Sequence, residues 1–223
     1  MFLELKNVKK KFYGGCHAIN ALDGVNLKMV KGEFVSVMGH SGSGKTTLLN
    51  IVGCLLCPDE GQYFLDDENV GTLNDQKLSR IRGKIGFIFQ SFNLINRFSV
   101  QKNVELPLIY SEIDKIERAK LALDSLEEVG LKDRALDYPN ELSGGEQQRV
   151  AIARSIASQP KIILADEPTG NLDVDSEREV MRLLSALNKK GITILLVTHE
   201  EVIAKYASRS IYMKNGFFVE KYL

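Results

Sequence analysis

The sequence predicts an α/β protein built on a parallel sheet, with a helical insertion. Three observations carry this. Short apolar runs at 34–38, 85–89, 162–165 and 192–197 read as strands buried on both faces. Helical patterns separate them, as crossover connections require. Between about 91 and 158 that alternation gives way to helices alone.

Each element has its own local reason. Residues 3–8 alternate apolar and polar side chains, and 21–29 do so around Val25 and Leu27, as half-buried strands do. Residues 34–38 end at Gly39. Positions 113–129 carry apolar residues at three-to-four spacing among many charges. Tyr138-Pro139-Asn140 reads as a loop. Ser143 opens the next helix, with Glu146 three residues on completing a capping box. From 173 to 190, Val180, Leu183, Leu184 and Leu187 line one helix face, and Gly191 stops it. Residues 210–213 and 217–219 flank Asn215-Gly216, a hairpin signal.

The chain has 223 residues, enough for one domain with a sub-domain. It carries 29 basic and 29 acidic side chains, a formal net charge of zero. This argues against a general electrostatic grip on nucleic acid. Three cysteines, Cys16, Cys54 and Cys57, make no disulfide framework and fit a reducing compartment. Cys54 and Cys57 read as small core residues near a helix end. No run approaches 18 apolar residues, and the first six positions do not resemble a signal peptide. The expectation is a protein that starts in the cytoplasm, with another chain crossing the bilayer in any membrane process.

Three motifs carry chemistry. Gly39-His40-Ser41-Gly42-Ser43-Gly44-Lys45-Thr46 follows a predicted strand and precedes a predicted helix, the setting of a phosphate-binding loop. Glycines let backbone N–H groups converge on an anion, and the helix start adds its positive end. Lys45 supplies charge to terminal phosphates, and Thr46 offers a hydroxyl to Mg2+. Secondly, Asp166 ends a buried strand, where a carboxylate can hold Mg2+. Glu167, one residue on, points elsewhere and can act as general base on an attacking water. Thirdly, Leu142-Ser143-Gly144-Gly145-Glu146-Gln147-Gln148-Arg149 puts two glycines in a helix's first turn, each unfavourable by roughly 1 kcal/mol against Ala. An N-cap explains Ser143 and Glu146 but not the glycines; a second phosphate site, made of exposed N–H groups, explains both.

These motifs, in this order, resemble the nucleotide-binding subunit of an ABC transporter over essentially the whole chain. The resemblance implies a P-loop NTPase (RecA-like) core with an antiparallel β sub-domain and an inserted α-helical sub-domain. The core would comprise 1–90 and 159–223, and the helical sub-domain 91–158. It implies ATP and Mg2+ as cofactors. Gly39 through Thr46, with Thr47, would hold the phosphates; Thr46, Gln90 and Asp166 the metal. Lys45, Gln90, Glu167 and His199 would serve catalysis, His199 touching the γ-phosphate. Ser143, Gly144, Gly145 and Asp173 would face a second subunit's nucleotide. Phe12 would stack on adenine, with Tyr13 as second choice. Three positions depart from the family's usual residues: Phe12 for Tyr, His40 for Pro and Thr46 for Ser. Each keeps the function expected there.

The segments 90–95, 103–108 and 168–173 look like the lipoprotein-release and macrolide- or peptide-export branch. The resemblance implies a head-to-tail homodimer sandwiching two ATP molecules, and an integral membrane permease as partner. It places the protein at the inner face of the cell membrane. The same ATPase could instead act as a mechanical switch on a membrane partner, as in a divisome ATPase. The stretch from Lys45 to Ser143 is too short for the coiled-coil arms of DNA-repair relatives. One cassette per chain does not fit the translation type. A small-molecule kinase would leave Ser143-Gly144-Gly145 without a purpose.

Overall fold

A computed structural model describes residues 1–14, 17–109 and 113–219, with the side chains of 14, 17 and 18 outside that description. Cys16 and the side chain of His17 therefore lie outside the described residues. The chain forms two compact units: Met1–Arg82 with Asn188–Leu223, and Gly83–Leu187. The sub-domain expected at 91–158 lies wholly inside the second.

The first unit has an antiparallel and a mainly parallel sheet. Strands β1 (Leu3–Gly14), β2 (His17–Met29), β4 (Glu60–Leu65) and β5 (Glu68–Asn69) make the antiparallel one, in the order β2-β1-β4-β5. Alternation decides its faces: Leu3, Leu5, Val8, Val25, Leu27 and Met29 are buried, and Leu5 opposes Leu27. Irregular pairing between Leu5 and Val8, and again at Lys10–Lys11, bends the long β1–β2 ribbon.

In the second sheet, β3 (Phe34–Met38) lies parallel to both β8 (Thr193–Thr198) and β9 (Arg209–Lys214). Strand β10 (Phe217–Val219) completes the Asn215-Gly216 hairpin with β9. Every residue of β3 and β8 is buried, as their mostly apolar character requires. Ser36 is the polar exception in β3, and its hydroxyl donates to Ser210 Oγ at 2.8 Å. Helix α1 (Lys45–Val52) buries Leu48, Leu49, Ile51 and Val52.

The helix α2 (Asp75–Arg82) buries only Ile81 and closes this unit's first segment. Cys54, beyond the C-cap Gly53, has the left-handed φ of 57°. Cys54 is half-buried and Cys57 exposed, which corrects the expectation that both are core residues. Burial pushes the Cys54 thiol up to about 11, away from reactive thiolate character.

The second unit holds the parallel pair β6 (Ile85–Phe89) and β7 (Ile162–Asp166). Helices α3 (Val100–Glu105), α4 (Lys115–Glu128) and α5 (Gly144–Ala157) pack on one another, and α5 lies against β6. Helix α6 (Val174–Lys189) buries Val180, Met181, Leu184 and Leu187. Met181 takes the place expected of Leu183, which is half-buried. A short helix, α7 (Glu201–Ala204), follows β8 in the first unit. Among the described residues, no helix is long and apolar enough to cross a membrane.

Candidate functional site

The first unit carries the phosphate loop and His199. Met38 pairs with Thr198 in register, so the loop from Gly39 and the turn at His199 leave the carboxyl ends of neighbouring parallel strands. Such ends are where open α/β sheets bind ligands. Lys45 is 6% exposed, and its ammonium donates to Gly39 O at 2.7 Å and His40 O at 2.9 Å. The loop thus curls around its own lysine.

Gly44 has φ 107°, and a Cβ there would lie 2.3 Å from Ala21 O, so only glycine fits between loop and β2. The hairpin turn braces the loop from another side. Gly216 N donates to Ser43 O at 3.0 Å, and Asp23 N donates to Gly216 O at 3.0 Å. Ser43 Oγ is buried and has no hydrogen-bond partner among the described residues. His40, Ser41, Gly42 and Thr46 are exposed, and Thr47 is half-buried. Phe12 is 42% exposed beside Lys10, while Tyr13 is 82% exposed.

The second unit carries Gln90, the acidic residues and the glycine turn at Ser143. Phe89 pairs with Asp166, so Gln90 and Glu167 follow the ends of adjacent strands. Glu167 has φ 45°, a left-handed conformation for a residue that precedes proline. Gln90 and Asn171 form an amide pair: Asn171 Nδ2 donates to Gln90 O at 3.1 Å and Gln90 Nε2 to Asn171 Oδ1 at 3.4 Å. The loop after Gln90 is built on two side chains that sequence reading passed over. Buried Asn103 accepts from Ile95 N at 2.7 Å and donates to the carbonyls of Ile95, Phe98 and Ser99. Arg154 donates to Phe92 O at 2.7 Å and Asn93 O at 2.6 Å.

At α5 the capping box is present. Ser143 Oγ accepts from Glu146 N at 3.3 Å, and Glu146 Oε2 accepts from Ser143 N at 2.8 Å. The Ser143 hydroxyl also donates to Glu146 Oε2 at 2.9 Å. Arg134 backs the box through Glu146 Oε1 at 3.3 Å and Glu141 O at 3.1 Å. Gly145 has a packing reason that sequence did not reveal. A Cβ there would fall 2.5 Å from Ser176 Oγ, and that hydroxyl is held by Asp173 Oδ2 at 2.7 Å. Asp173 also accepts from the backbone N–H of Asp175 at 3.1 Å and Ser176 at 3.0 Å, which caps α6.

The loop, the strand-end carboxylates and the glycine-opened helix together define a phosphate-binding ATPase cassette of the P-loop class. Comparison with known proteins makes this specific. The sequence profile of the ABC transporter family matches residues 22–170. An ABC transporter ATP-binding protein of Bacillus subtilis, YknY, is 49% identical over 97% of this chain and 95% of its own. The macrolide export ATP-binding/permease protein MacB of Chlorobaculum tepidum is 49% identical over 98% of this chain, which spans 34% of that longer protein. A dimeric post-hydrolysis structure of the ATP-binding cassette MJ0796, bound to ADP and Pi, superposes with a TM-score of 0.90. It shares 47% identity over 98% of this chain and 97% of the other. A protein named MJ0796 comes from Methanocaldococcus jannaschii. This chain belongs to the ABC transporter family, as one of its ATP-binding cassettes.

Proposed function

We propose that the protein is the ATP-hydrolysing motor of a membrane transporter. Two copies would meet head to tail, each ATP held by Lys45 of one subunit and by Ser143 and Gly145 of the other. The observation that carries this is one chain bearing two unlike candidates for phosphate binding: the loop closed on Lys45 and the capped glycine turn at α5. A self-complementary contact of two such sites closes with two-fold symmetry.

Glu167 would take a proton from water as its oxygen attacks the γ-phosphorus; the bond to the bridging oxygen breaks, and ADP leaves. His199 would steady the γ-phosphate, and Gln90 would orient the water. Thr46, Gln90 and Asp166 offer only oxygen donors, the chemistry Mg2+ prefers. When bound there, Mg2+ would neutralise charge on the β- and γ-phosphates. Phe12 would stack on adenine. The Ser143 hydroxyl would exchange its bond to Glu146 for one to phosphate.

Residues 91–158 would form the helical sub-domain that meets a separate integral membrane permease. The likeness to the MacB proteins favours an export system. The cassette would then work at the inner face of the cell membrane through that partner.

Light scattering of the Glu167→Gln variant, with and without Mg-ATP, tests the sandwich. A shift from one chain to two on adding ATP is expected. A monomer with ATP shown to be bound would overturn both the autonomous dimer and Glu167's role in it.

A further inference from the structure

Gln148 lies on α5, five residues beyond Ser143, and is fully buried. Its Nε2 donates to Pro168 O at 2.5 Å and to Phe89 O at 3.4 Å. These carbonyls belong to the residue after Glu167 and the residue before Gln90. One side chain of α5 therefore grips both strand-end turns. We propose that Gln148 is a positioning residue for ATP hydrolysis, setting Gln90 and Glu167 through the backbone carbonyls beside them. The inference rests on the catalytic reading of those two residues.

The backbone at Glu167 needs such a hold. A left-handed residue before proline is strained, and strain persists only where the surroundings over-determine it. Gly170 N secures one side of the turn by donating to Glu167 O at 3.1 Å, and Gln148 secures the other at Pro168 O. Gln90 is fixed in the same manner, by Gln148 at the carbonyl before it and by Asn171 at its own.

The chemistry at this position asks for a neutral donor. Both partners are carbonyl oxygens, so the amide must present its nitrogen to them. A lysine would bring an unpaired charge into a buried place. The Gln148 Oε1 has no hydrogen-bond partner among the described residues, so half of the amide is buried without return. Methionine has nearly the same length. It removes the unpaired oxygen while taking the Gln148 donor from Pro168 O and leaving Phe89 O its bond from Phe92 N at 3.3 Å, so its stability effects partly cancel. What it cannot replace is the fixed position of the two turns.

The experiment compares the full chain with Gln148→Met and, as a shorter amide unable to span both carbonyls, Gln148→Asn. Single-turnover phosphate release at saturating ATP is measured beside ATP affinity and thermal unfolding. The rate is expected to fall about tenfold or more, as misplacement of a reacting group does, with ATP affinity within about twofold. Added to Glu167→Gln, the Met change is expected to lower the residual rate by less than about twofold, because Gln148 acts through a group already removed. An unchanged rate, an equal loss of affinity, a full further tenfold drop in the double variant, or failure of both variants to fold would each overturn the proposal. An inactive Glu167→Gln beside a normal Gln148→Met sinks this inference alone. A fully active Glu167→Gln sinks the catalytic reading beneath it.

Discussion

Two carboxylates of the candidate site sit at helix starts, and their local bonds tie the site to stability. The Ser176 backbone N–H, and then its hydroxyl, hold the Asp173 carboxyl below its ordinary value. The Ser143 backbone and hydroxyl do the same for Glu146. A depressed carboxyl stabilises the fold above its unfolded value, about 4, and that stability is lost as pH falls through the lower folded value. Thermal unfolding between pH 7 and 3 is expected to show a midpoint that falls below about pH 4. In Asp173→Asn, which keeps an acceptor but cannot titrate, the fall should be shallower. Identical slopes would mean that Asp173 makes these bonds no better folded than unfolded. The Ser143 box was legible because it closes over three residues. The grip of Gln148 was not, since its partners lie 59 and 20 positions away and a glutamine in a helix gives no local sign of them.

At the scale of elements, α1 shows how a short helix is kept. Its eight residues are too few for independent stability, so the fold must fix both ends. The phosphate loop fixes the first. At the last turn, buried Tyr63 of β4 donates its hydroxyl to Val52 O at 2.6 Å, and burial drives the phenol well above its usual range. Tyr63→Phe leaves that carbonyl only the long, weak contact from Cys54 Sγ at 3.9 Å and is expected to cost about 1–3 kcal/mol in urea unfolding. A change under about 0.5 kcal/mol would mean that the Cys54 thiol satisfies Val52 O without the phenol. Strands β3, β6, β7 and β8 were readable because each is a short, mostly apolar run. Strand β4 was not: Tyr63 and Leu65 alone are buried, and its partners in β1 lie far back in the chain, Leu3 opposite Leu65. Helix α2 gave as little sign, with only Ile81 inside.

For the whole molecule, the motifs divide between two units. The phosphate loop and His199 belong to the first; Gln90, Asp166, Glu167 and the Ser143 turn belong to the second. A nucleotide that binds only the folded chain raises its stability by mass action. In Glu167→Gln, ATP at about a hundred times its Kd should add about 2.7 kcal/mol. For a chain of this size that is a rise of roughly 5–10 °C in Tm by calorimetry. With Lys45→Ala added, the rise should vanish. A full rise without Lys45 would place the nucleotide elsewhere.

The sequence by itself determined the class of protein, the order of its motifs and the strands that carry them. Those signals are local: a glycine-rich loop after an apolar run, a capping box, a carboxylate at a strand end. Tertiary structure decided what those residues lean on. Gly145 is glycine because Ser176 packs on it, and Gln148 joins Phe89 to Pro168. Long-range hydrogen bonds and close contacts leave no periodicity in a chain, because either partner alone could serve many folds.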